Sequence, residues 1–119
     1  MAKLILIIED DPDILEILGI IFQEEGFDIV SKRNGMSADE IGLLHPDLVL
    51  LDVRINGFEK TGAQICAELK KYTETKSLPV MLISAETNLA DIAHSCGANA
   101  HVTKPFEINS LVEKVKEMI

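Results

Sequence analysis

Residues 3–13, KLILIIEDDPD, decide how the rest of the chain is read. The apolar run has no polar alternation, so residues 3–9 read as a strand buried on both faces. Glu9, Asp10 and Asp11 then follow one another, and Pro12 and Asp13 come next. Like charges held this close repel, and the repulsion has to be offset. A helix-capping turn would do it, and so would a bound cation. Residues 13–25 carry Ile14, Leu15, Ile17, Leu18, Ile21 and Phe22 on a broad helical stripe, and Gly26 ends the helix. The opening is therefore a strand, an acidic turn and a helix.

The same alternation runs outward from this unit. Further strands are expected at residues 27–31, 47–52, 79–84 and 100–103, and helices at 37–44, 62–72, 89–96 and 107–119. Ser37 and Glu40 form a possible capping box, and His45-Pro46 stops the second helix. Residues 53–61 read as a polar loop and 73–78 as a link; Pro79 is tolerable at the first position of its strand. Five short apolar strands separated by helices predict an α/β fold with a parallel sheet covered on both faces. No repeat, linker or second domain is expected, so residues 1–119 are read as one domain.

Composition narrows the function classes. Eleven Lys/Arg against 20 Asp/Glu give a formal net charge of −9. Such a chain is a poor candidate for binding nucleic acid directly or anionic lipid. No apolar run approaches the roughly 20 residues that span a bilayer, and the N-terminal run lacks a signal-like cleavage region. The expectation is no membrane association and a cytoplasmic location. Cys66 and Cys96 have no metal-ligand or CxxC spacing and read as buried free thiols.

In open parallel sheets ligands bind at the carboxyl ends of the strands. Glu9, Asp10 and Asp11 end the first strand, Asp52 the third and Ser84 the fourth, while Lys104 follows the fifth. Carboxylates of this kind suit Mg²⁺, which needs few protein oxygens and keeps several waters. His45, His94 and His101 are scattered and build no zinc motif. Neither GxxxxGK[ST] nor GxGxxG is present, so the usual nucleotide cradles are absent. A hydroxyl and an ammonium beside a cation suit a small phosphoryl group, with Asp52 as a candidate nucleophile. Asp11 and Asp13 read better as helix-start residues than as metal ligands.

LIIEDDPD, HPDLVLLDV and the VTKPF that follows GANA resemble the receiver domain of bacterial two-component response regulators. The three segments come in the right order, about 40 and 50 residues apart, and the resemblance covers essentially the whole chain. It implies a doubly wound, flavodoxin-like five-stranded parallel sheet of order 2-1-3-4-5 with five helices, in a stand-alone form like the chemotaxis regulators. It implies that Asp52 accepts a phosphoryl group from a sensor histidine kinase or phosphotransfer protein in a Mg²⁺-dependent reaction. Glu9, Asp10, Asp52 and the Arg54 carbonyl would hold the metal. Ser84 and Lys104 would contact the phosphoryl group, and the Lys104-Pro105 bond would be cis. Apart from its own phosphoryl transfer and slow dephosphorylation, no enzymatic activity is implied. A downstream target protein would dock on the face that includes Asp91, His94, His101 and Ser110.

Some positions depart from the family pattern. His101 stands where an aromatic switch residue that works with Ser84 is usual; it is either a switch or a partly exposed strand residue. In DVRINGFEKTG, Asn56 replaces a proline and Gly62 comes two residues late; SAETNLADIAHSCG is about two residues short. Arg54 and Glu86 occupy the positions that tune dephosphorylation, and either pair across the site or face solvent. The alternatives are a degenerate receiver that binds its partner without phosphorylation, and the receiver part of a longer transcriptional regulator. A Mg²⁺-dependent phosphohydrolase would need a cap for which there is no room, and the acidic turn is opposite in charge to a flavin phosphate loop.

Overall fold

A computed structural model describes residues 2–119; Met1, the first residue of the expected domain, lies outside the described residues. The elements are β1 (Leu4–Ile8), α1 (Pro12–Glu24), β2 (Asp28–Lys32), α2 (Ala38–Leu44), β3 (Leu48–Asp52), α3 (Gly62–Lys71), β4 (Val80–Ser84), α4 (Leu89–Cys96), β5 (Ala100–Thr103) and α5 (Ile108–Met118). The strands form one parallel sheet in the order β2-β1-β3-β4-β5. This is the doubly wound, flavodoxin-like arrangement expected from the sequence.

Successive strand residues point to opposite faces, and in β1, β3 and β4 both faces are buried. Leu6, Ile8, Val49, Leu51, Val80 and Leu82 pack under α2, α3 and α4 with Ile41, Ile65, Cys66, Leu69 and Ala93. Ile5, Ile7, Leu48, Leu50, Met81 and Ile83 pack under α1 and α5 with Leu15, Leu18, Phe22, Leu111 and Val115. The centre of the sheet therefore has no polar face, which explains the unbroken apolar runs.

Local chemistry sets the element ends. The Asp11 carboxylate accepts the N–H groups of Asp13 and Ile14 at 2.9 and 3.3 Å, so it is the α1 cap. Pro12 fits the first helical position, and α1 starts one residue earlier than expected. Ser37 and Glu40 form the expected capping box. Strand β2 starts one residue late because the Phe27 N–H is taken by the Phe22 carbonyl at 3.0 Å as α1 closes. The expected α1 stripe was too broad: Ile17 is 47% exposed. At 100° per residue it turns away from Leu15, Leu18 and Phe22, which face the sheet.

Gly62 has a defined steric task. A Cβ there would lie 2.0 Å from the Asp52 carbonyl oxygen. The longer loop after β3 still ends on a glycine because the start of α3 presses directly on the end of that strand. After the shorter segment that follows β4, α4 has eight residues, and its N-cap Asn88 makes no side-chain capping bond.

Candidate functional site

Topology brings the polar strand ends to one edge. β1 and β3 are neighbours, as are β3 and β4, so Glu9, Asp10, Asp52 and Ser84 converge there. Lys104 follows β5, where its N–H bonds the Ser84 carbonyl at 2.8 Å. The Lys104-Pro105 peptide is cis, as expected. Asp10, Asp52, Arg54, Asn56, Ser84, Glu86 and Lys104 line a cleft of about 500 Å³.

Glu9 is completely buried and Asp52 nearly so. The Lys104 Nζ lies 2.7 Å from Glu9 Oε1 and 3.4 Å from Asp52 Oδ2. The Glu9 contact is an ion pair by distance, but Oε1 has no hydrogen-bond partner. Glu9 Oε2 accepts the Asp11 N–H at 3.2 Å, and Asp52 Oδ1 accepts the Arg54 N–H at 3.3 Å. Burial, and then the adjoining Glu9 carboxylate, push the Asp52 carboxyl up to about 8. Burial alone would lower the Lys104 ammonium, but Glu9 and Asp52 outweigh it and raise its pKa. One cation thus serves two buried carboxylates, and the site is short of positive charge.

A divalent cation fits that deficit. One carboxylate oxygen from each of Glu9, Asp10 and Asp52 lies within 4.8 Å of the others. The all-oxygen donor set of these three carboxylates matches a hard cation such as Mg²⁺. Ser84 is buried beside the cleft, and its hydroxyl accepts the Glu86 N–H at 3.2 Å. Arg54 Nε pairs with Glu86 Oε1 across the mouth. His101 stands apart: it is half-buried on β5 and lines a different depression with Phe106, Ser110 and Lys114.

The sequence reading missed two contacts. The Asn56 N–H donates to Asp10 Oδ2 at 3.2 Å. Phe58 packs so tightly on Gly35 that a Cβ there would lie 2.2 Å from its ring. A backbone donor leaves no trace in residue type; the nearest signal was the replacement of an expected proline by a residue that has an N–H.

Fold and cleft define a small doubly wound α/β domain with three carboxylates, a hydroxyl and an ammonium around one strand edge. Residues 5–116 match the response regulator receiver domain model, and the chain belongs to that family. It is 34% identical over 119 residues to the DNA-binding response regulator MtrA of Mycolicibacterium smegmatis, covering 98% of this chain and 50% of the relative. The chain thus spans about half the length of that relative. Among solved structures it resembles the receiver domain of a signal transduction histidine kinase from Syntrophus aciditrophicus, with 33% identity, a TM-score of 0.83, and 98% and 89% of the two chains covered. The receiver domain of NtrX from Brucella abortus is 28% identical, with a TM-score of 0.80 and 96% of each chain covered. Receiver domains are signalling domains of two-component systems, governed by phosphorylation and generally not classed as enzymes. They bind Mg²⁺ at an acidic pocket, and response regulators receive phosphoryl groups from histidine kinases. Among the described residues no helix is long and apolar enough to cross a membrane.

Proposed function

We propose that residues 1–119 act as one receiver domain in which Asp52 takes a phosphoryl group from a histidine kinase or phosphotransfer protein. The observation that carries this reading is the meeting of Asp52 with Glu9, Asp10 and Lys104 at the carboxyl edge of the sheet. An Asp52 carboxylate oxygen attacks the donor phosphorus, the phosphorus–nitrogen bond to the donor histidine breaks, and an acyl phosphate forms on Asp52. Bound Mg²⁺ supplies countercharge to the carboxylates and to the phosphoryl oxygens. Glu9 and Asp10 would hold the cation with Asp52 and the Arg54 carbonyl. Lys104 moves its ammonium from the carboxylates towards the phosphoryl oxygens, and the Ser84 hydroxyl bonds one of them.

Output then passes to a target protein that docks on the face built from α4, β5 and α5. Asp91, His94 and Ser110 are exposed there and His101 is half-buried. His101 would report the rearrangement of Ser84 to this face. Incubation with Mg²⁺ and acetyl phosphate, followed by intact mass measurement, should show a gain of one phosphoryl group. EDTA should prevent it. An unchanged mass with Mg²⁺ present would overturn the reading in favour of a receiver that binds its partner without phosphorylation.

Arg54 and Glu86 would slow hydrolysis of the acyl phosphate by narrowing the approach of water. The Arg54 side chain is 78% exposed, and a surface pair contributes about 0–1 kcal/mol. Arg54→Ala should therefore shorten the half-life of the phosphorylated protein by about two- to fivefold. The decay of the phosphorylated mass after donor removal measures it; an unchanged half-life would remove the pair from this role.

A further inference from the structure

The loop after β3 is a structured turn. The Phe58 N–H donates to the Ile55 carbonyl at 3.3 Å, and Gly57 has φ +80°. Ile55 and Phe58 fix its two ends: Ile55 is buried in the core, and Phe58 fills the space that a side chain at Gly35 would need. Between them the turn aims the Asn56 N–H at Asp10 Oδ2, 3.2 Å away.

We propose that this turn positions Asp10 for a divalent cation, with the Asn56 backbone N–H as the positioning group and Phe58 as its anchor. The proposal rests on the Mg²⁺ site read above. Unlike Glu9, Asp10 is only half-buried, and no ion pair to it is present among the described residues. A carboxylate offers about four lone-pair sites. One donor on Oδ2 leaves Oδ1 free for metal and limits rotation of the group. It also offsets part of the repulsion from Glu9 and Asp52 before any cation arrives. Outer donors of this kind typically contribute ten- to hundredfold to metal affinity. Replacement of the family's usual proline by Asn56 is what makes this donor available.

Proline provides the test because it removes the N–H, while Asn56→Ala accounts for loss of the side chain. Proline is common at the second position of turns with a positive-φ glycine third, so Asn56→Pro suits this turn. Mg²⁺ is titrated into the isotope-labelled protein, and the amide shifts of Asp10 and Asp52 are followed. We expect Asn56→Pro to weaken Mg²⁺ binding by about tenfold, and Phe58→Ala to weaken it several-fold with the amide spectrum still dispersed. Asn56→Ala keeps the donor and should bind as the wild type does. Wild-type affinity in both Asn56→Pro and Phe58→Ala would overturn the proposal, as would equal weakening in Asn56→Ala and Asn56→Pro. A wild-type protein showing no saturable Mg²⁺ response would instead overturn the metal-site reading on which it rests.

Discussion

Asp52→Asn is expected to abolish phosphoryl incorporation from acetyl phosphate and, in the absence of metal, to make the protein more stable at neutral pH. The two effects have one origin. Asp52 is placed where a carboxylate is hard to keep charged, buried at a strand end beside Glu9. An amide of the same shape removes the proposed nucleophile and the repulsion together. Thermal unfolding in EDTA should show a higher midpoint for Asp52→Asn, and intact mass after incubation with donor and Mg²⁺ should show no gain. Incorporation equal to the wild type would remove Asp52 from its proposed role.

The pH dependence follows with a definite sign. The Asp52 carboxyl titrates near 3.8 in the unfolded chain and is raised to about 8 in the fold. Between these values the folded protein binds the extra proton, so the stability of the metal-free wild type falls as pH rises from about 4 to about 8. The loss is on the order of a few kcal/mol, with Lys104 already limiting it. Asp52→Asn should flatten that slope. Mg²⁺ favours the charged carboxylates, so its stabilising effect should grow over the same range. Denaturant midpoints across this pH range, with and without Mg²⁺, measure both. A wild-type slope equal to that of Asp52→Asn would contradict the burial argument.

Much of this arrangement was legible in the residues. A parallel sheet buried on both faces needs apolar runs without alternation, and β1, β3 and β4 have them. Lone polar groups where such runs stop have few places to go, so Glu9, Asp10, Asp52, Ser84 and Lys104 could be read as neighbours before any coordinates. The illegible parts depend on distance and direction. A 13-residue helix with apolar residues on most faces does not announce which ones meet the sheet, and Ile17 does not. The segment read as a link buries Thr75, whose hydroxyl donates to the Leu69 carbonyl at 2.7 Å. Cys66 and Cys96 are free and buried as expected, but their meeting between α3 and α4, with the Cys66 thiol 3.5 Å from the Cys96 carbonyl oxygen, needed the fold. The hold of Asn56 on Asp10 was hidden for the same reason, since any residue except proline supplies that donor.

Lys104→Met should be the most destabilising single change at the site. It keeps an apolar stem of similar length and removes the cation that two buried carboxylates share. The Glu9 side chain is fully buried and that of Lys104 is 18% exposed, so solvent cannot replace the lost charge. Removing one partner of a buried pair costs about 3–5 kcal/mol. For a chain of this size that corresponds to a fall of roughly 10 °C or more in unfolding midpoint. Saturating Mg²⁺ should recover part of it, because a cation held by Glu9, Asp10 and Asp52 replaces the missing charge. Glu9→Gln combined with Lys104→Met should recover part of it without metal. Thermal melts in EDTA and in Mg²⁺ distinguish these outcomes, and a single variant that melts with the wild type would show that Lys104 does not offset the charge of this site. One lysine reaches both carboxylates, and it can be drawn onto a phosphoryl group only if a divalent cation has taken over its task at Glu9 and Asp52.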